Sequence, residues 1–408
     1  MDDMKSINDN HGHEAGDTAS STLPSRSVTP AGRSQNAEGM HPDGGCPHVQ
    51  CQKKPAHRPG AIAIRKENPL NYEEVLTNAK KNIGPNCKVC PVCSGLGCGN
   101  LMPGPGSKAP GNGAHDNYTA WRKIRLNMDT IGSPDPIDTS VELFGRKLSF
   151  PLLTAPIGSI RLQFNPSDDV ADFNEQCMAA CETRGILHAY GNGLEQRIWD
   201  EAILSGRRHG NTGIPVFNPD TPENIEKLMD LYHNDLPAAM CVVLDSAGLP
   251  HLRKLNGKGG TKTIGELRRL KAYSKVPMIF KGIMTAEGAR KAVDAGADAI
   301  IVSNHGGRVV PETPGTADVL PEIVDAVKGE TKILVDGGIR YGSDVFKALA
   351  MGADACLICR PVLIAYYGGG QEGIELYLDR IRAELSDAMY MCGARKIPDI
   401  TNRMIRRM

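Results

Sequence analysis

The 408-residue sequence predicts an α/β fold: a (β/α)8 barrel preceded by an N-terminal extension and followed by a C-terminal helix. Three observations predict it. Eight short apolar runs follow one another between residues 150 and 361, helix-like stretches separate them, and polar and glycine residues gather where the runs end. Near-continuous runs of Val, Ile, Leu and Ala suit parallel strands buried on both faces, and eight βα units close a barrel. The length agrees, because such a barrel takes about 250 residues and leaves the remainder for extensions.

Residues 1–58 are rich in Gly, Pro, Ser, Asp and His and lack apolar periodicity. A composition of this kind does not bury enough surface to offset its ordering entropy, so the segment reads as a disordered tail. HGH at 11–13 and the stretch HPDGGCPHVQC carry metal-ligand residue types, but flexible His/Cys tails usually hold no specific site. Residues 59–139 form the N-terminal extension, with a helix over YEEVLTNAKKN (72–82) and then a Gly/Pro/Cys-rich segment (84–113). The barrel occupies 140–408. Its strand runs are FPLLTAPIG (150–158), GILHAYG (185–191), IPVFN (214–218), AMCVVLD (239–245), VPMIFKG (276–282), AIIVSNHGG (299–307), KILVDGG (332–338) and ACLICRP (355–361). TAEGARKAVDAG (285–296) has a Thr cap, an early Glu and a terminal Gly, and SDVFKALAMG (343–352) repeats the pattern from Ser to Gly. GIELYLDRIRAELSDAMYMCG (373–393) lies outside the eight-fold count as a last helix packed on the barrel.

The apolar fraction is 40%, and 47 basic residues balance 47 acidic ones. No global field therefore draws the protein to nucleic acid or to an anionic membrane, and the expected partner is a small molecule. The start, MDDMKSINDNHGHEAG, has no apolar signal core, and no segment approaches the ~18 apolar residues of a membrane span. A cytoplasmic protein is expected. Six of the twelve cysteines precede residue 100 and the others are scattered through apolar runs, which argues for reduced thiols or a metal site over a secreted disulfide framework.

In such barrels the working groups sit where strands end and loops begin. Strand five ends at Lys281, strand six at Ser303, Asn304, His305, Gly306, Gly307 and Arg308, strand seven at Asp336, Gly337, Gly338 and Arg340, and strand eight at Arg360. Each alone reads as an ordinary loop residue. Together, Lys, His and three Arg at one mouth would repel each other without an anionic ligand. DGGIRYGSD (336–344) sets small residues before a helix N-terminus, where backbone N–H groups favour a phosphate, and Arg340 and Arg360 would add charge-assisted hydrogen bonds.

NCKVCPVCSGLGCGN spaces Cys87, Cys90, Cys93 and Cys98 as CxxCxxCxxxxC. Four thiols this close are able to wrap one metal centre, an iron-sulfur cluster or zinc. The alternative is four unligated or redox-sensitive thiols in a loop.

The segments KGIMTAEGARKAVDAGADAIIVSNHGGR and ILVDGGIRYGSDVFKALAMGADACLICRP resemble the FMN-dependent 2-hydroxy acid oxidases and dehydrogenases, the family of glycolate oxidase, lactate oxidase and mandelate dehydrogenase. The resemblance covers residues of about 110–405 and is most specific over 278–361. It implies FMN as cofactor, a small 2-hydroxy acid of the lactate or glycolate type as substrate, and a homo-oligomer. LTAPIG (153–158) resembles the strand-one flavin segment, which places Ala155, Pro156 and Gly158 against the flavin ring. LDSAG (244–248) resembles the strand-four segment and gives Asp245. The implied roles agree with the chemistry of the side chains. Lys281 would stabilise negative charge on the reduced flavin, and Arg308 would hold the substrate carboxylate with its planar fork. His305 would be the general base, with Asp245 stabilising its imidazolium. Ser303, Asp336, Gly338, Arg340 and Arg360 complete the implied FMN site.

Three departures bear on the substrate. The family's strand-three tyrosine is missing, with Phe217 offered in its region, and GNGAHD (111–116) lacks a preceding tyrosine. Leu252 stands where an arginine is usual, with Arg253 next to it. The identity of the 2-hydroxy acid is therefore left open. A metal cluster at the four cysteines would give reduced FMN an electron exit to a carrier, making a dehydrogenase rather than an oxidase. Two other readings compete: an FMN-barrel isomerase or nucleotide-type dehydrogenase, disfavoured by SNHGGR, and a non-catalytic flavin or metal redox module, disfavoured by intact Lys281, His305 and Arg308.

Overall fold

The computed structural model of the protein describes residues 70–408, apart from 103, 159, 192–194, 251 and 253–259. The expected disordered tail, with its His and Cys ligand types, and Arg253 lie outside the described residues. All eight apolar runs become strands: β1 (Leu152–Thr154), β2 (Leu187–Tyr190), β3 (Gly213–Phe217), β4 (Met240–Val243), β5 (Met278–Ile283), β6 (Ala299–Val302), β7 (Lys332–Val335) and β8 (Ala355–Ile358). Each pairs in parallel with its neighbours in sequence, and β8 closes on β1 through Cys356 opposite Leu152.

Alternation along the strands divides the core in two. Leu153, Leu187, Ile214, Cys241, Ile279, Ile301, Leu334 and Leu357 fill the barrel interior. Their neighbours, among them Leu152, Tyr190, Phe217, Val242, Phe280 and Val335, pack outward in the core shared with the helices. Because both faces are buried, the strands read as continuous apolar runs in the sequence. One polar group in that outer layer is His188, which bonds Thr154 Oγ1 at 2.7 Å and Asn174 Oδ1 at 3.3 Å. Burial pushes its pKa down to about 3, so it stays a neutral structural histidine.

Of the two helix starts read from the sequence, Thr285 caps as expected, accepting from Gly288 N at 3.0 Å. Ser343 does not. That helix runs Gly342–Ala350, and the Asp344 carboxylate satisfies its start by accepting from the N–H groups of Arg340 (3.1 Å) and Tyr341 (3.3 Å). A carboxylate with two acceptor oxygens outcompetes a single hydroxyl here.

The last helix is also different from expectation. It leaves β8 directly and spans Arg360–Met391, broken where Gly370 takes φ 57°. Residues 373–393 are thus the far half of a kinked element rather than a separate helix. Gly368 on this element lets the extension dock, since a Cβ there would lie 2.1 Å from the Val75 carbonyl oxygen of the helix Tyr72–Asn82. Ile405–Arg407 then pairs antiparallel with Ile124–Leu126, tying the C-terminus to the extension. No helix among the described residues is long and apolar enough to cross a membrane.

Candidate active site

The mouth of the barrel is built from irregularities at the ends of β5 and β6. The β5–β6 register shifts between Lys281 and Ile283, at Gly282 with φ 102°. This is the local kink that an extra residue in a strand produces, and only glycine takes that φ without strain. It also leaves room for Asp245, because a Cβ on Gly282 would meet Asp245 Cβ at 2.5 Å. Lys281, 4% exposed, donates to Ser303 Oγ at 2.6 Å and pairs with Asp336 Oδ2 at 3.1 Å. Burial opposes its charge, yet Asp336 and Asp245 outweigh burial and hold the ammonium above the usual lysine range. Lys281 is a fixed cation at neutral pH.

The loop after β6 runs left-handed for three residues, His305, Gly306 and Gly307. Two groups hold it there. The Asn304 side chain accepts from Gly306 N at 3.0 Å, and the His305 N–H donates to Ser303 Oγ at 3.2 Å. Asn304 is locked in turn by a reciprocal amide pair with buried Asn117 (2.7 and 3.1 Å). Asn117 belongs to the helix Gly113–Arg122, and a Cβ on Gly307 would sit 2.7 Å from Gly113 Cα. The extension therefore fixes the His305 loop by backbone-to-backbone contact. His305 Nδ1 lies 3.1 Å from Asp245 Oδ1. Burial raises the Asp245 pKa, but His305 and Lys281 more than reverse this and hold the carboxyl below its usual range. Its Oδ2 is buried without a partner.

One open cavity of ≈1320 Å³, solvent mouth included, spans the barrel end. Ala155, Pro156, Gly158, Lys281, His305, Arg308, Asp336, Gly338, Arg340 and Arg360 all line it, so ten positions expected from sequence converge on one cavity. Ser303 and Asp245 stand behind its wall, orienting Lys281 and His305. Four cations (Lys281, Arg308, Arg340, Arg360) line the site with one carboxylate, Asp336, while a second, Asp245, lies behind His305. The surplus positive charge matches a phosphate monoester of about −1.5 to −2. The buried Arg360 Nη1 has no partner within the protein, and Gly337 and Gly338 both take φ near 80° beside it in the wall. A flavin phosphate at this end fits the residues present, and the apolar stretch of Ala155, Pro156 and Ile157 suits a ring system.

Two expectations are corrected, and a third residue is found partly engaged. The helix N-terminus at Gly342 is not free for the phosphate: its N–H donates to Glu384 Oε2 at 2.8 Å, and Asp344 takes the two N–H groups before it. The arginines and the Gly337–Gly338 turn are what remains for the anion. Phe217 points outward against Trp199, ring centroids 5.3 Å apart; alternation along β3 places Val216 and Asn218 in the cavity wall instead. Arg308 is partly engaged, its Nη1 donating to the carbonyls of Gly104 (2.6 Å) and Gly106 (2.8 Å). Burial, aided by Arg360, pulls its pKa down to about 10, which leaves it charged at neutral pH. Leu252, which stands where an arginine is usual, lines the cavity.

Sequence reasoning missed Asn117, Pro105, Phe164 and Cys359 at or beside the site. Only Asn117 carried a signal, as a polar residue on the otherwise apolar face of its helix. Cys87, Cys90, Cys93 and Cys98 are free thiols gathered around a smaller neighbouring cavity.

Comparison with known proteins agrees with this geometry. Residues 106–251 and 253–407 match the family described as FMN-dependent dehydrogenase. A peroxisomal (S)-2-hydroxy-acid oxidase of Oryza sativa subsp. japonica is 46% identical over 321 residues, covering 70% of this chain and 85% of that protein. An L-lactate oxidase of Roseobacter sp. (strain GAI101) is 43% identical over 330 residues, covering 72% and 87%. Among solved structures, mandelate oxidase with benzoyl-formic acid superposes with a TM-score of 0.67 at 25% identity, over 83% of this chain and 98% of that one. The chain belongs to the FMN-dependent dehydrogenase family, and it is an oxidoreductase of that family's (β/α)8 fold.

Proposed function

We propose that the protein oxidises a small 2-hydroxy acid to the 2-oxo acid, with His305 as the base. The observation that carries this reading is that His305, backed by Asp245 at 3.1 Å, lines one cavity with Lys281 and Arg308. FMN, when bound, supplies the acceptor for the two electrons leaving the α-carbon. Gly338, Arg340 and Arg360 would hold its phosphate, Ala155, Pro156 and Gly158 its ring, and Lys281 would face the ring as a fixed cation, with Ser303 and Asp336 holding Lys281 in place.

With Nδ1 of His305 occupied by Asp245, Nε2 is the nitrogen left to take a proton from the substrate. Asp245, held ionised, then stabilises the imidazolium. Arg308 keeps its remaining N–H donors for the substrate carboxylate while Gly104 and Gly106 fix its Nη1. Removing one bidentate donor set of this kind typically costs several kcal/mol of transition-state binding. Val216, Val243, Leu249 and Leu252 line the cavity, which supports an aliphatic side chain on the acid. Each CH2 buried there contributes about 0.8 kcal/mol, roughly fourfold in kcat/KM.

The test is turnover of a graded panel of 2-hydroxy acids with an artificial electron acceptor. One 2-oxo acid should form for every two electrons accepted, with kcat/KM rising along the short aliphatic series. Failure of every 2-hydroxy acid to yield a 2-oxo acid would overturn the reading. We also propose a homo-oligomer, which the family resemblance implies, in the cytoplasm, and an electron carrier as acceptor, to which the cluster of free thiols points; sedimentation and fractionation test the first two.

The phosphate assignment makes its own prediction. Arg340→Ala should weaken FMN retention by about 10- to 100-fold, the equivalent of roughly 1.5 to 3 kcal/mol for a charge-assisted hydrogen bond. Fluorescence of FMN released on dilution reads it, and unchanged retention would remove Arg340 from the site.

A further inference from the structure

The four cysteines of the extension take no part in the chemistry just described, yet they do not lie at random. Cys87, Cys90, Cys93 and Cys98 all line a single cavity of ≈390 Å³, its opening to solvent included. Arg360, Pro105 and Phe164 are walls of this cavity and of the active-site cavity alike. The thiols therefore back onto the end of the site where the flavin phosphate fits. Arg340 reinforces the junction, donating from Nε to the Cys93 carbonyl at 2.5 Å and approaching Cys93 Sγ to 4.0 Å with Nη2.

The segment is folded so as to turn its thiols toward one another. Val89, between Cys87 and Cys90, takes φ 44°, a left-handed conformation that is strained for a β-branched residue. Gly97 leaves room for Cys90, since a Cβ there would meet Cys90 Sγ at 3.0 Å. Despite this proximity the thiols are unpaired. Two arginines beside four soft ligands suit an anionic metal–thiolate centre.

The ligand spacing each centre demands separates the two. Zinc with Zn–S bonds of about 2.3 Å needs its sulfurs roughly 3.8 Å apart, and no three metal-ligating side chains among the described residues converge so as to hold one ion. An iron-sulfur cluster spreads its four thiolates around a larger frame, and all four thiols here line one cavity.

We propose that Cys87, Cys90, Cys93 and Cys98 ligate an iron-sulfur cluster against the phosphate end of the flavin site, and that this cluster is the electron exit. The inference rests on the flavin reading above. Each 2-hydroxy acid oxidised gives up two electrons and two protons. The protons go to solvent, and the electrons leave one at a time, each reducing the oxidised cluster once and passing on to a one-electron acceptor protein, so two acceptors are reduced per substrate. N–H groups of Arg340 close to Cys93 Sγ would raise the cluster potential, favouring receipt of electrons from reduced flavin.

The test uses the full chain prepared anaerobically and reconstituted with ferrous iron and sulfide, with iron, acid-labile sulfide, zinc and FMN each measured. Iron and sulfide should appear in equal amounts beside about one FMN per chain. Adding a substrate acid anaerobically should produce the electron paramagnetic resonance signal of a reduced cluster. Cys87→Ser and Cys98→Ser should each lose iron at least ~10-fold while keeping FMN, which shows that the barrel is folded. Bound FMN without iron, one zinc per chain in place of iron, or iron undiminished in both variants would overturn the cluster. Iron present without FMN would overturn the flavin reading instead.

Discussion

Replacing His305 by Gln should slow flavin reduction by 2-hydroxy acids at least ~10²-fold while leaving the spectrum of bound FMN unchanged. The separation is expected because the phosphate end of the cavity is built from β7 and β8, through Gly338, Arg340 and Arg360, whereas His305 stands on the loop after β6. Gln is close to His in reach and keeps a hydrogen-bonding end toward Asp245, yet it has no nitrogen able to accept a proton near neutral pH. Anaerobic stopped-flow absorbance reads both properties in one experiment. Bleaching at the wild-type rate would mean that proton abstraction belongs to another group.

Asp245→Asn should be almost as damaging, on the order of 10²-fold or more in the same reduction rate, although Asp245 does not line the cavity. The Asp245 side chain is 8% exposed and 3.1 Å from His305 Nδ1. An amide at that position removes the charge that stabilises the imidazolium and is free to present its NH2 to Nδ1, which would turn the ring to the wrong tautomer. Because the two residues act as a unit, the double variant should be no more than about threefold slower than His305→Gln alone. Multiplying effects in the double variant would show that Asp245 acts apart from His305.

The barrel was legible because its strands are buried on both faces and so appear as eight uninterrupted apolar runs. Residues at the strand ends were legible for a related reason, since Lys281, His305, Arg308, Asp336, Arg340 and Arg360 break those runs with charge. What lay hidden depends on contacts distant in sequence. Asn117 meets Asn304 across 187 positions, and Arg308 reaches Gly104 across 204; neither pairing leaves a local pattern. The orientation of Phe217 was misread because a strand buried on both faces does not reveal which face holds the site. The phosphate site shifted away from the Gly342 helix start because Glu384, a residue of the last helix, already binds that N–H. The kink at Gly370 joins residues 373–393, read from the sequence as a helix, to a first half beginning at Arg360 that the sequence reading did not identify. The four cysteines were visible as a motif, but their place behind Arg360 was not.

The central claim is that one constellation, with His305, Asp245, Lys281 and Arg308 around bound FMN, takes two electrons from the α-carbon of a 2-hydroxy acid. Its most direct test is a single anaerobic mixing of the purified flavoprotein with a panel of 2-hydroxy acids, followed by absorbance at the oxidised-flavin band. Rapid, saturable bleaching by at least one short aliphatic 2-hydroxy acid, with its 3-hydroxy isomer inert, is the predicted result. Flavin that dithionite reduces but no 2-hydroxy acid bleaches would contradict it.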